Sequence, residues 1–243
     1  VKIVVLLSAG RDPHSGAARP VPVELQAVAL AQRCAGATVS GLHAGAADAA
    51  VLDALGHRLG TLTLLRLDPG DDPLPALAAE VDRIRPDLIL AGRRGRGGSD
   101  GGLLPYRLAR ACAMPIVADA MALTIEDQAL AVVQALPRGA RRQVSLALPA
   151  VVTVHEAAPP APHFIYRAGR SGVVEERQAA RTQAAATSPD DGFETVAYRQ
   201  RPKLIGDSAP ASVAGRLMVA PSAEDAAAAV LAYVDRFRTR RMP

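Results

Sequence analysis

The sequence predicts an α/β protein: a doubly wound, mostly parallel sheet with a β-hairpin insertion and an extended C-terminal arm ending in a helix. Short apolar runs of strand length alternate with stretches of helical periodicity as far as Leu88. Apolar residues make up 49% of the chain but aromatics only 3%, with no Trp, so Ala, Val and Leu must fill the core, as suits helices packed on a buried sheet. A strand-like run, Leu88 to Ala91, empties into a loop of glycines and arginines that ends at a second proline-led helix.

Lys2 to Leu7 reads as the first buried strand, and the turn Ser8 to Gly16 is built of breakers. Pro20 and Pro22 lead a helix whose apolar positions Val23, Ala27, Leu30, Ala31 and Cys34 recur at helical spacing. Ala37 to His43 is a second strand, followed by a helix from about Ala47 to Leu55. Thr61 to Leu67 is a third strand, and a helix from Leu74 to Ile84 follows the turn Asp68 to Pro73. After Leu88 to Ala91 the pattern is helical from Leu103 to Cys112, where Met114-Pro115 stops it.

The pattern then changes. Ala120 to Ile125 and Leu130 to Leu136 flank Glu126 to Gln128 as a hairpin, Arg142 to Leu148 is a third extended piece, and Leu148 to Val154 closes the block as a buried strand. Pro159, Pro160 and Pro162 mark a boundary beyond which order weakens. Ala179 to Pro189 has no periodicity and reads as linker or extended arm. Order recovers at Pro221 to Asp225, a helix start with Ser222 as cap, and Ala229, Val230, Tyr233, Val234 and Phe237 form one apolar stripe above Arg236, Arg238, Arg240 and Arg241. The expected division is a nucleotide-binding domain over 1–175 and an arm over 176–243.

With right-handed crossovers, the loops after Leu7, His43 and Ala91 converge on one edge of the sheet, where open α/β sheets bind ligands. Gly92 to Gly102 is the proposed phosphate cradle. Its glycines (Gly92, Gly95, Gly97, Gly98, Gly101, Gly102) bring backbone N–H groups close, Arg93, Arg94 and Arg96 add charge, and the helix beginning near Leu103 and Leu104 adds a positive dipole end.

Other chemistry finds little footing. The loop has neither GxxxxGK[ST] nor GxGxxG. Five dispersed histidines (His14, His43, His57, His155, His163) give no metal-ligand spacing, no serine sits in GxSxG, and Cys34 and Cys112 stand far apart in apolar patterns, as buried thiols of a reducing cytoplasm would. The net charge of +4 with few aromatics does not point to nucleic acid, and no apolar run has the length of a membrane span.

Val1 to Val5, Asp87-Leu-Ile-Leu-Ala-Gly92 before a glycine and aspartate loop, Leu148-Pro-Ala-Val-Val-Thr-Val154 after a hairpin, and the terminal Ser-Ala-Glu-Asp helix together resemble the β subunit of electron transfer flavoprotein over nearly the whole chain. The resemblance implies an adenine-nucleotide-binding sheet of flavodoxin- or Rossmann-like topology in a carrier subunit without catalytic residues. It implies a heterodimer with an α subunit that holds most of the redox FAD, AMP or a second FAD in the β pocket, an FAD or FMN dehydrogenase as donor, and a quinone oxidoreductase as acceptor. Neither nucleic acid nor membrane insertion is implied.

Carried over by position, the nucleotide pocket takes Leu6, Ser8, Arg19, Pro20, Val21, Pro22, Ala44, and Gly92, Arg93, Arg94, Gly95, Arg96, Gly97, Gly98, Ser99, Asp100, Gly101, Gly102, Leu103 and Leu104. The partner-docking loop takes Phe164, Ile165, Tyr166 and Arg167, which either anchor a dehydrogenase or pack on the sheet edge. The loop Ser8 to His14 faces the isoalloxazine ring, with Arg11 or His14 placing positive charge near it.

The chain departs from the family pattern in places. Ser8-Ala-Gly-Arg-Asp12 keeps only the aspartate of Lys-x-Val-Pro-Asp, Arg19-Pro20 replaces Asn-Pro, the glutamate usual in the helix that follows is missing, and the acidic run of the fourth loop becomes Gly98-Ser-Asp-Gly-Gly-Leu103. The alternative is a stand-alone universal-stress-type ATP- or AMP-binding module, against which Pro105 and Tyr106 stand where its second glycine cluster belongs.

Overall fold

A computed structural model describes residues 1–12, 14–68, 71–94, 101–126, 129–179 and 218–238. The chain divides into two units, Val1–Ser188 and Pro189–Pro243. In the first, nine strands form one sheet: β1 (Lys2–Leu6), β2 (Thr38–Ala44), β3 (Thr61–Arg66), β4 (Leu88–Gly92), β5 (Ile116–Glu126), β6 (Ala129–Ala135), β7 (Arg141–Ala147), β8 (Ala150–Val154) and β9 (Val173–Gln178), in the order β7-β6-β5-β8-β4-β1-β2-β3-β9. Every pairing from β5 to β9 along that order is parallel. The β5–β6 and β6–β7 pairings are antiparallel.

Among the described residues of this unit the α-helices are α1 (Pro22–Gln32), α2 (Ala49–Leu52), α3 (Pro73–Ile84), α4 (Leu104–Ala111) and α5 (Tyr166–Ser171). Strand alternation decides which helix meets which side chain. Ile3, Val5, Leu62, Leu90 and Val152 share one core with α1. Val4, Leu6, Leu42, Ile89 and Val151 share the other with α3 and α4. Both faces of β4 and β8 are covered, which is why each is a continuous apolar run buried at all five positions.

The expected helix from Ala47 to Leu55 is shorter and changes type. α2 gives way at Asp53 to a 3-10 turn, Asp53–His57, ended by Arg58 at φ 65°. Gly56 explains the tightening, because the Phe164 ring lies directly on its backbone and an added Cβ would overlap the ring. β5 begins at Ile116, ahead of the expected Ala120. Its first half runs parallel to β8, and a bulge at Asp119 (φ 57°) swings the rest into the hairpin with β6.

Order does not weaken at Pro162. α5 follows, and β9 then extends the sheet past residue 175, parallel to β3. Val-Val-Glu-Glu-Arg-Gln carries no apolar run because it is an edge strand, held by backbone pairing and by the Arg66–Glu176 ion pair across it. Cys34 and Cys112 are half-buried and not fully enclosed; burial still pushes both thiols upward.

The second unit contributes α6 (Ala223–Arg238). Ser222 caps it: its Oγ accepts from the Asp225 N–H at 3.1 Å and its O–H donates to Asp225 Oδ2 at 2.7 Å. Val230, Tyr233 and Val234 of the expected stripe are exposed, as is Leu231. The side chains of Phe237, Arg236 and Arg238, residues Arg240 and Arg241, and the stretch after Ala179 in the expected linker lie outside the described residues. Among those described, no helix is long and apolar enough to cross a membrane, and no group of His, Cys, Asp and Glu could hold a metal ion.

Candidate functional site

Strand order reverses between β1 and β4, so their C-terminal ends open a crevice at the sheet's carboxyl edge. Ser8, Ala44, Gly92 and Arg93 surround it, with Leu6 buried beneath. α1 enters after Arg19, Pro20 and Val21, and α4 after Gly101, Gly102 and Leu103. Neither start carries a side-chain cap, and the first turn of α4 holds no acid. The positive dipole end of each helix therefore lies toward the crevice, the arrangement a phosphate group fits. Pro22, Arg19 and Leu103 are exposed and Leu104 is half-buried.

The arginines divide. Arg93 is half-buried and engaged at 3.4 Å by both Asp119 and Glu156, so it pins the start of the loop to β5 and β8. Arg94 is exposed at the crevice. Gly95, Arg96, Gly97, Gly98, Ser99 and Asp100 lie outside the described residues.

The loop from β1 to α1 is folded on itself. Arg19 donates its N–H to Gly10 O at 3.0 Å, and Asp12 donates its N–H to Ala17 O at 2.9 Å. The Asp12 carboxylate accepts the N–H groups of His14 and Ser15, each at 3.0 Å, and these bonds hold its carboxyl down to about 2. The aspartate retained from the family pattern is thus the organiser of this turn.

Arg11 forks onto Asp48, which holds that carboxylate below the usual range. Asp48 also caps α2 by accepting the Ala50 N–H at 2.8 Å. Arg11 is therefore committed within the chain. Asp48→Asn keeps the cap and loses the ion pair, whereas Asp48→Ala loses both. The alanine variant is expected to be less stable than the asparagine variant by about 1 kcal/mol, read as a shift in thermal unfolding.

Two buried groups at the crevice escaped the sequence reading. Glu24, in the first turn of α1, is only 4% exposed, and its two oxygens meet Ser8: Oε2 accepts the Ser8 N–H at 2.8 Å, and Oε1 shares a 2.5 Å hydrogen bond with Ser8 Oγ. Burial pushes this carboxyl up to about 8, outweighing the two bonds that favour its charge. The signal was present, since a single acid in Pro-Val-Glu-Leu-Gln-Ala-Val-Ala-Leu-Ala-Gln has apolar neighbours on every side. His43, at the end of β2, is also buried, with Nδ1 2.9 Å from Leu7 O.

Ser8, Pro20, Val21, Glu24 and Ala50 line a shallow dent that encloses no appreciable volume.

A family model, the electron transfer flavoprotein domain, matches residues 13–187. The chain belongs to the electron transfer flavoprotein family. It is 36% identical over 228 residues, 90% of this chain and 83% of the other, to the electron transfer flavoprotein subunit beta of Chromohalobacter salexigens. Within the family pattern, the helix after Arg19-Pro20 is not without a glutamate: Glu24 stands in its first turn, turned inward.

The expected docking segment of this family member splits by role. Phe164 packs edge-on against His57 with ring centroids 5.5 Å apart, and Ile165 donates its N–H to Gly56 O at 2.7 Å. Tyr166 and Arg167 open α5 and are exposed, Tyr166 at 72%. The first pair seats the segment on the 3-10 turn and the second faces outward.

Proposed function

We propose that this chain is the β subunit of a heterodimeric electron transfer flavoprotein, a carrier subunit without catalytic residues of its own. The observation that carries the reading is the likeness to a β subunit over 90% of the chain, running through the sheet that builds the crevice. It favours a carrier over a stand-alone nucleotide-sensing module.

In this reading FAD, held mainly by the α subunit, supplies the redox chemistry, taking electrons from an FAD or FMN dehydrogenase and yielding them to a quinone oxidoreductase. This chain's residues bind and orient. The rim of Ser8, Arg19 to Pro22, Ala44 and Gly92 to Leu104 holds the AMP or second FAD of the β pocket by its phosphate, through the start of α4 and Arg94. The folded loop Ser8 to His14 forms the wall toward the isoalloxazine ring, where His14 remains as a candidate charge while Arg11 is neutralised by Asp48. Tyr166 and Arg167 meet the dehydrogenase, with Phe164 and Ile165 fixing their mount. The exposed apolar stripe of α6, within the arm over 176–243, is buried by the α subunit.

Co-expression with an electron transfer flavoprotein α chain tests this. The expected result is a yellow complex that copurifies, with the chain expressed alone aggregating or melting well below the complex. A colourless, monodisperse monomer that ignores the α chain would overturn the assignment. Nucleotides released on denaturing the complex identify the occupant of the β pocket.

A further inference from the structure

We infer that Glu24 positions the nucleotide rim through Ser8, and that the proton it carries is what allows an anionic phosphate to bind beside it. The inference rests on the nucleotide-binding reading above and assigns the crevice a regulating group. Glu24 stands where the rim residues meet. Its carboxyl takes both the backbone N–H and the hydroxyl of Ser8, two residues past the end of β1. Its neighbour Val21 sets the start of α1, and a Cβ placed on Gly92 would come within 3.1 Å of its Cγ and 2.8 Å of Val23. Gly92 thus lets the end of β4 close over the Glu24 side chain, and the carboxyl lies under both walls of the crevice.

The surroundings account for the proton. Among the described residues no cation pairs with Glu24, and nothing offsets its burial but the two bonds from Ser8. The charged and titratable groups on the elements around it are otherwise occupied. Arg11 on the β1 loop and Asp48 on α2 clasp each other, His43 on β2 meets the carbonyls of Leu7 and Ala46, and Arg93 after β4 is held by Asp119 and Glu156. Among the described residues on the β4 side, Arg94 is the exposed cation. A neutral Glu24 leaves the positive helix ends and Arg94 to set the local field. An ionised Glu24 puts a negative charge below the phosphate and against the Ser8 contact, and both changes work against binding.

AMP is the probe, because its phosphate is doubly charged throughout the range above pH 7 and contributes no titration there. On the purified α/β complex, with bound nucleotide exchanged out, wild-type affinity for AMP is expected to fall about tenfold between pH 7 and pH 9.5. Glu24→Gln keeps both bonds to Ser8 and cannot ionise, and its affinity is expected to vary by less than twofold over the same range. Glu24→Ala is expected to bind at least tenfold more weakly at pH 7, and Ser8→Ala serves the same purpose if that variant does not assemble. Hydrogen exchange at the Ser8 amide gives a readout that needs no nucleotide: protected in the wild type and in Glu24→Gln, fast in Glu24→Ala. A Glu24→Gln profile parallel to the wild type, or a Glu24→Ala protein with wild-type affinity and a protected Ser8 amide, sinks the inference and leaves the nucleotide site standing. A wild-type complex that binds no AMP at any pH removes the site itself and the inference with it.

Discussion

Raising the pH from 5 to 9 is expected to lower the stability of the wild-type complex, and Glu24→Gln is expected to remove most of that slope. In the unfolded chain Glu24 ionises near 4.5, whereas in the fold burial holds it protonated up to about 8. Between those values the folded state carries a proton that the unfolded state has lost, so stability falls as pH rises through the window. Below it both states are protonated and above it both are ionised, and the contribution is flat at each end. The full difference is on the order of 5 kcal/mol, a large share of the marginal stability of a domain. Glutamine offers the same acceptor to the Ser8 N–H and an N–H2 group to the hydroxyl, so the bonds survive while the titration disappears. Asp12 titrates with the opposite sign in a separate window: its depressed carboxyl loses its turn-stabilising bonds only as pH falls below about 4 toward 2. Thermal unfolding of the two complexes at pH 5, 7 and 9 checks this, because the α subunit's own titration is common to both. Parallel curves would show that Glu24 is not protonated in the fold.

The central strands were legible because they are buried on both faces and therefore read as uninterrupted apolar runs. Lys2 to Leu6 and Leu88 to Gly92 lie where the pattern put them to within a residue. β9 was not legible, because an edge strand is specified by pairing to β3 and not by its own apolarity; its Glu-Glu-Arg reads as loop until the register with Thr61–Arg66 is seen. The division of α2 from the 3-10 turn failed for a related reason. The helix gives way at Asp53 to a 3-10 turn on whose Gly56 Phe164, more than a hundred residues on, comes to rest, and no local pattern contains that contact.

The site shows the same division. The convergence of the loops after β1, β2 and β4 follows from topology, which alternation alone fixes. What each charge does there depends on long-range partners. Arg93 and Arg11 look alike in sequence as candidate anion ligands, yet one is held by Asp119 and Glu156 and the other by Asp48. Glu24 is the exception whose signal was present and still missed, since an acid inside an apolar helix must find a dry partner or keep its proton.

Gly10→Ala is the second change from which a large effect is expected, about 2–3 kcal/mol of stability together with opening of the β1–α1 loop. A Cβ at residue 10 would stand 2.3 Å from the Arg19 carbonyl oxygen and 2.9 Å from Val21 Cγ2. The first of these is backbone, which has no rotamer to move into, so the two chain segments must part. Parting them breaks the Arg19 N–H to Gly10 O bond and the pairing of Arg11 with Ala18, the contacts that close the loop. Gly16, in the same loop, makes a control: its φ of 69° is costly for alanine, but a Cβ there meets nothing within 4 Å, so Gly16→Ala is expected to cost about 1 kcal/mol and leave the loop closed. The displacement from Gly10 also reaches function by a short path. Val21 is the N-terminal flank of α1, Glu24 follows within one turn, and Ser8 is bonded to Glu24, so loosening residue 10 loosens the residue that shapes the rim. Urea midpoints of the two variants, with hydrogen exchange at Ser8 and Arg19, check this: both amides should exchange fast in Gly10→Ala and remain protected in Gly16→Ala. Equal protection in the two would mean that the close approach at Gly10 relaxes without cost, and that the loop is held by the Asp12 turn alone.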